Sequence, residues 1–129
     1  MKKVILTGAN GQLGRSYVRL LLENDYKVVA VDLNTDQLSQ FGTDIEVAEL
    51  DITDSSAVNQ FFDDHSDIYG LVNNAGIGVF TPFEERTAEE FMDVMKVNLL
   101  GSFLMCQSAI KRMKLRSEGK IVNVGSIYG

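Results

Sequence analysis

The sequence predicts an α/β fold: a doubly wound parallel sheet of five strands with helices on both faces. Three observations lead there. Short apolar runs and helical-period stretches alternate five times along the 129 residues, which is the pattern of βαβ crossovers. The first strand passes into a helix through a glycine-rich turn, and the second strand ends in an aspartate, both features of the C-terminal edge of such a sheet. The composition is 45% hydrophobic and 23% charged, so the chain can bury enough apolar surface to offset the entropy of ordering. Its length suits a single domain over residues 1–129.

Lys3-Val4-Ile5-Leu6-Thr7 is an apolar run stopped by Gly8, hence a buried strand. Gln12 to Asn24 follows with Leu13, Tyr17, Leu20 and Leu21 at helical spacing. Asn24-Asp25 turns the chain into Lys27-Val28-Val29-Ala30-Val31-Asp32, whose β-branched residues predict the second strand. Asp36 to Gln40 reads as a short helix. Asp44 to Leu50 alternates, with Ile45, Val47 and Leu50 expected inward. Asp54 or Ser55 caps a helix carrying Ala57, Val58, Phe61 and Phe62. Ile68 to Asn73 is the fourth strand, and Gly76 to Phe83 a loop holding the only proline, Pro82. Thr87-Ala88-Glu89-Glu90 fits a capping box. A helical pattern then runs to Arg116 with Phe91, Val94, Met95, Leu99, Phe103, Leu104, Ile110 and Met113, and a break expected near Asn98 to Gly101. Lys120 to Val124 is the fifth strand.

Several function classes drop out. One cysteine, Cys106, leaves no disulfide framework, and one Cys with one His leaves no Cys/His zinc site, so no metal is expected. The opening apolar run ends at Thr7-Gly8, too short for a signal-peptide core. No stretch reaches membrane-spanning length, which points to a cytoplasmic, reducing compartment and no membrane partner. The net charge of −6 is uneven: 17 of the 18 acidic side chains lie between residues 23 and 93. The basic cluster Lys111, Arg112, Lys114 and Arg116 falls at an expected helix C-terminus, where cations complement the macrodipole. No aromatic residue interleaves with it, so no nucleic-acid partner is expected. His65 reads as a solvated helix end, and Cys106, Met92, Met95, Met105 and Met113 read as packing residues.

The chemistry gathers at strand ends. The first strand ends in Thr7-Gly8-Ala9-Asn10-Gly11-Gln12-Leu13-Gly14. Glycines at a strand-to-helix turn let backbone approach a phosphate, and the helix N-terminus offers unpaired N–H groups and partial positive charge. Glycines also simply terminate strands. Asp32 lies 18 residues beyond Gly14, where a carboxylate of a dinucleotide fold accepts hydrogen bonds from the adenosine ribose. It would repel a 2′-phosphate, and neither Leu33 nor Asn34 offers a cation for one, so NAD is expected over NADP.

At this point the chain resembles the short-chain dehydrogenases/reductases. Thr7-Gly8…Gly11…Gly14 resembles their cofactor loop, and Asp51-Ile52-Thr53-Asp54 the segment that lies against the adenine. Asn73-Asn74-Ala75-Gly76 matches their fourth-strand motif, Val97-Asn98-Leu99-Leu100-Gly101 the segment of their helix asparagine, and Gly125-Ser126-Ile127-Tyr128-Gly129 that of their catalytic serine. The resemblance implies a Rossmann-type sheet of order 3-2-1-4-5 and hydride transfer between a carbonyl and an alcohol. It implies cofactor contacts from Thr7, Gly8, Asn10, Gly11, Gln12, Leu13, Gly14, Asp32, Leu33, Asp51, Ile52, Asn74, Ala75 and Gly76. Ser126 and Asn98 become the catalytic candidates, and a homo-oligomer is expected.

Two departures stand out. The glycine spacing T-G-x-x-G-x-x-G is typical of the extended branch of nucleotide-sugar epimerases and dehydratases, whereas Asn73-Asn74-Ala75-Gly76 belongs to the other main branch. The family's Tyr-x-x-x-Lys pair is absent, since the chain stops three residues after Ser126, and Tyr128 stands too close to that serine and lacks the lysine. The chain therefore reads as about the first half of a family member, inactive by itself. A non-catalytic dinucleotide-binding module is the alternative. A receiver-like domain is disfavoured, because Gly8-Ala9-Asn10-Gly11 stands where it would carry acidic residues. Asn98 could equally mark a helix kink, and Ser126 a plain turn.

Overall fold

The computed structural model describes residues 1–126. Five strands form one parallel sheet in the order β3-β2-β1-β4-β5: β1 is Lys3–Thr7, β2 Lys27–Asp32, β3 Glu46–Glu49, β4 Ile68–Asn73 and β5 Lys120–Asn123. The fold is thus the predicted Rossmann-type arrangement. Chain order reverses between β1 and β4, so the strand C-termini part there and open a crevice.

Alternate side chains of the central strands feed two cores. On one face Leu6, Val28 and Ala30 pack with Val18 of α1 (Gln12–Glu23) and Leu38 of a 3₁₀ stretch, Asp36–Asp44. On the other, Ile5, Val29 and Leu71 meet Phe62 of α2 (Ser55–Asp64) and Met105 of α4 (Ser102–Arg116). Phe62 is fully buried, and truncating such a residue to alanine costs about 3–5 kcal/mol. Among the described residues no helix is long and apolar enough to cross a membrane.

Helix starts follow the sequence. Asp54 caps α2 by accepting from Ala57 N, and Thr87 caps α3 (Ala88–Met95) by accepting from Glu90 N. The expected break is a π-helical turn, Lys96–Gly101, that joins α3 to α4 without interrupting the helix. Gly101 is needed in it: a Cβ there would strike the Ile52 side chain. Ser117 closes α4 in the left-handed region at φ 56°, with Glu118 N donating to Met113 O.

Several expectations are corrected. The segment after β2 is a 3₁₀ stretch bent at Gly42, longer than the short helix expected. Val47 is exposed, because β3 is the edge strand and the elements that cover Ile45 do not reach it. Phe91, Met92, Leu99, Phe103 and Ile110 are exposed as well; the residues that meet the sheet are Met105, Ala109 and Met113. His65 does end α2, but it is buried rather than solvated. Its ring stacks on Phe61, with Nδ1 2.9 Å from Phe61 O and Nε2 2.9 Å from Glu46 Oε1.

Candidate functional site

The crevice is built from the ends of β1 and β4. Thr7, buried at the end of β1, accepts through Oγ1 from the N–H groups of Asn74 (3.1 Å) and Ala75 (3.0 Å). Asn74 returns a bond from Nδ2 to Gly8 O at 3.2 Å. Gly8 holds φ +65°, and a Cβ on it would lie 2.8 Å from Ala75 Cα, so the approach of the two loops needs glycine here. Gly14 is required for a second reason: a Cβ would fall on the Gly8 carbonyl. Gly11 differs, since its nearest protein atom would be 3.6 Å away. It lines the open side, followed by Gln12, Leu13 and Gly14, and no side chain caps the helix that starts there.

Asp32 stands at the end of β2. Its Oδ1 accepts from Leu33 N at 2.8 Å and its Oδ2 from Asn10 N at 3.0 Å. Both oxygens are fixed by backbone and retain lone pairs for a ligand. Beyond the end of the neighbouring strand β3, Asp51 Oδ1 accepts from Thr53 N (2.9 Å) and Thr53 Oγ1 (2.6 Å). The Thr53 hydroxyl, then its N–H, and to a lesser degree the positive charge of Lys96 hold the Asp51 carboxyl below the usual carboxylate range.

Together these groups bound a cleft of about 430 Å³, a volume suited to a small organic ligand. Thr7, Gly8, Gly11 to Gly14, Asp32, Leu33, Asp51, Ile52 and Asn74 to Gly76 all line it, so the structure brings nearly every expected cofactor residue together. Asn10 is the exception, because its side chain turns to the 3₁₀ stretch instead. Sequence reasoning missed Val31, Leu50, Thr53, Ile77 and Val97, which also line the cleft. Thr53 was recoverable as the partner of an Asp two residues earlier, a common local turn.

A second, more open cleft adjoins the first through Asn74, Ala75 and Gly76. Asn98, Ser126, Cys106 and Asn123 line it. Asn98 sits in the π-helical turn, its Oδ1 2.8 Å from Ile77 N and its Nδ2 2.9 Å from Ile77 O. Beneath, the buried Asn73 donates from Nδ2 to Asn123 Oδ1 (3.0 Å) and Cys106 Sγ (3.1 Å). Cys106 is therefore a half-exposed polar partner as well as a packing residue. Tyr128 lies outside the described residues.

The model for the short chain dehydrogenase family matches residues 2–129. A 3-oxoacyl-acyl-carrier-protein reductase of Chlamydia pneumoniae is 32% identical over 98% of this chain and 55% of its own length. The solved structure of a short-chain dehydrogenase from Leptospira borgpetersenii with bound NAD+ superposes with a TM-score of 0.91 at 36% identity, covering 98% of this chain and 52% of that one. A closed form of serine dehydrogenase complexed with NADP+ gives 0.89 at 26% identity, over 98% and 55%. The chain spans about half the length of the curated relatives it matches.

Proposed function

The chain belongs to the short-chain dehydrogenase family, and from that premise we propose that residues 1–129 form the cofactor-binding half of an NAD-dependent oxidoreductase acting on a carbonyl/alcohol pair. The observation that carries the choice of cofactor is Asp32, whose carboxylate is pinned at both oxygens on the rim of a glycine-lined cleft. The solved relatives hold either NAD+ or NADP+, so the preference must be argued from this chain. A second phosphate on the ribose would meet Asp32 and find no cation on Leu33 or Asn34.

The residues present fit a dinucleotide. The nearest atom a Cβ on Gly11 would meet is Gly8 O at 3.6 Å, so the loop lines the cleft without a side chain in the way. The uncapped first turn of α1 offers N–H donors to a pyrophosphate. Asp32 would accept from the ribose hydroxyls. Asp51 and Ile52 would flank the adenine, and Asn74 to Gly76 the nicotinamide side. The cofactor supplies the hydride chemistry when bound. Ser126 would hydrogen-bond the substrate oxygen in the adjoining cleft. Asn98 would serve there too, first by holding the Ile77 peptide. The 129-residue chain lacks the family's Tyr/Lys pair and does not turn over by itself. Exposed Phe91, Leu99, Phe103 and Ile110 support self-association.

Calorimetric titration with NADH and NADPH tests the reading. A hydrogen bond to a charged group contributes about 1.5–3 kcal/mol, so NADH is expected to bind roughly ten- to hundredfold tighter. Equal or tighter NADPH binding overturns it.

A further inference from the structure

Asn73 ends β4 almost wholly buried, at 4% exposure, and lines the second cleft. Its amide is only half satisfied. Nδ2 donates to Asn123 Oδ1 at 3.0 Å and to Cys106 Sγ at 3.1 Å. Oδ1 has no hydrogen-bond partner among the described residues and lies out of reach of solvent. Turning the amide over does not cure this. Two oxygens would then face each other across the 3.0 Å now spanned by Nδ2 and Asn123 Oδ1, and Nδ2 would be left unmet instead. A buried acceptor without a donor is costly. Because water does not reach Oδ1, the donor that completes it has to be carried by a neighbouring side chain. The Cys106 sulfur is such a neighbour, since it touches the other end of the same amide. Cys106 is half-exposed and lines the same cleft, of about 690 Å³.

We propose that Cys106 is a peroxide-sensitive thiol, and that Asn73 Oδ1 is the acceptor that holds its sulfenic acid. The reaction balances with hydrogen peroxide as the one co-reactant. The Cys106 sulfur, as thiolate, attacks one peroxide oxygen. An S–O bond forms, the O–O bond breaks, and hydroxide leaves. The hydroxide takes up the proton that the thiol had lost and becomes water. Sulfur gives up two electrons and the peroxide takes them. The product is an S–O–H group on the sulfur beside Asn73, and its hydroxyl is the donor that Oδ1 lacks. Cys106 is the only cysteine of the chain, so no second thiol of the same chain condenses with the sulfenic acid to a disulfide. Its survival rests on hydrogen bonds and on the shelter of the cleft floor. The proposal does not depend on the dinucleotide reading: Asn73, Cys106 and Asn123 line the second cleft and not the first.

The experiment exposes the 129-residue chain to hydrogen peroxide, removes the excess with catalase, and adds dimedone after increasing delays. Mass spectrometry of the fragment carrying Cys106 reads the sulfenic acid that remains. The same chain unfolded in urea is the reference, and Asn73→Leu, Asn123→Ala and Cys106→Ser are treated alike. The expected result is a dimedone adduct that Cys106→Ser lacks, on a sulfenic acid that outlives that of the unfolded chain. Loss of one hydrogen bond corresponds to roughly a five- to tenfold change, so folded Asn73→Leu should lose its sulfenic acid that much faster than wild type. Asn123→Ala leaves Oδ1 in place and should stay close to wild type. Shelter alone would protect the folded chains equally. No adduct in folded wild type, direct passage to sulfinic acid, or a lifetime no longer than in urea overturns the proposal, as does a folded Asn73→Leu with the wild-type lifetime. Should Asn73→Leu fail to fold, wild type still decides: the Asn73 Cγ carbon resonance should move downfield on oxidation as Oδ1 gains a donor, and an unmoved resonance overturns the proposal.

Discussion

Asn98 holds both backbone polar groups of one residue: Ile77 N donates to its Oδ1 at 2.8 Å, and its Nδ2 donates to Ile77 O at 2.9 Å. The pair joins the loop after β4 to the π-helical turn and forms the wall between the two clefts. Asn98→Ala should free the Ile77 amide, whose hydrogen exchange should accelerate at least tenfold, at about 1 kcal/mol of stability. Asn98→Asp keeps the acceptor and loses the donor, so it should fall between. Wild-type protection of Ile77 in Asn98→Ala contradicts the clamp.

Gly14 and Gly11 look alike in sequence and should behave differently. Gly14→Ala drives a methyl into the Gly8 carbonyl and should destabilise the chain by about 1–3 kcal/mol in denaturant unfolding. Gly11→Ala meets no protein atom closer than 3.6 Å, so its unfolding midpoint should stay near wild type while NADH binding weakens. If the two variants unfold alike, the division of labour within the loop is wrong.

Asp51 should titrate below the ordinary carboxyl value of about 3.9. With the folded value below the unfolded one, its contribution is present above pH ~3.9 and is lost as pH falls through the folded value. Thr53→Val removes the hydroxyl and keeps the N–H, so the carboxyl should move part-way back up, as followed by carbon-detected NMR. The group is largely solvent-exposed, so stability at pH 7 should change by less than about 0.5 kcal/mol. An unmoved titration would show that the Thr53 hydroxyl is not the main cause.

The 129-residue chain should self-associate. Leu99, Phe103 and Ile110 are exposed at spacings of four and seven, one helix face, and among the described residues β5 is an edge strand. Light scattering at tens of micromolar should show a mass above 14.3 kDa, and Phe103→Glu should lower it. A clean monomer at that concentration would rule this out.

NADH oxidation with a panel of aldehydes and ketones should be undetectable for this chain. A positioned acid supplies typically 10²–10⁴ in rate, and a serine hydroxyl such as Ser126 is a very weak one. Turnover that disappears in Ser126→Ala would show that the serine half of the site suffices.

Local signals were the legible ones. Asp54 and Thr87 could be read as caps because the bond each makes spans three residues. The glycine turn and Asp32 could be read because their spacing reflects one βαβ unit. His65 was misplaced because one of its two ring-nitrogen partners, Glu46, lies 19 residues away on β3. Val47 was misplaced because alternation gives a face but not what covers it. The Asn10 side chain joins segments 26 and 27 residues apart, and Asn98 reaches back 21. Such pairings follow from the assembled fold and leave no periodic trace in the chain.

The π-helical turn lets the helical stretch from Ala88 to Arg116 hold one more residue than an α-helix needs for the same rotation. Each residue advances an α-helix by about 100°, and the widened turn takes up that step locally. Deleting one residue from Lys96–Gly101 would therefore let the stretch run on as a regular α-helix with both flanks still in register. Met105, Ala109 and Met113 would keep their seats on the sheet. The bulge that presents Asn98 to Ile77 would be gone, and the wall between the clefts would lose its fastening while the packing beneath it survived. The cleft wall is thus sensitive to an insertion or deletion in this one turn that the core would tolerate.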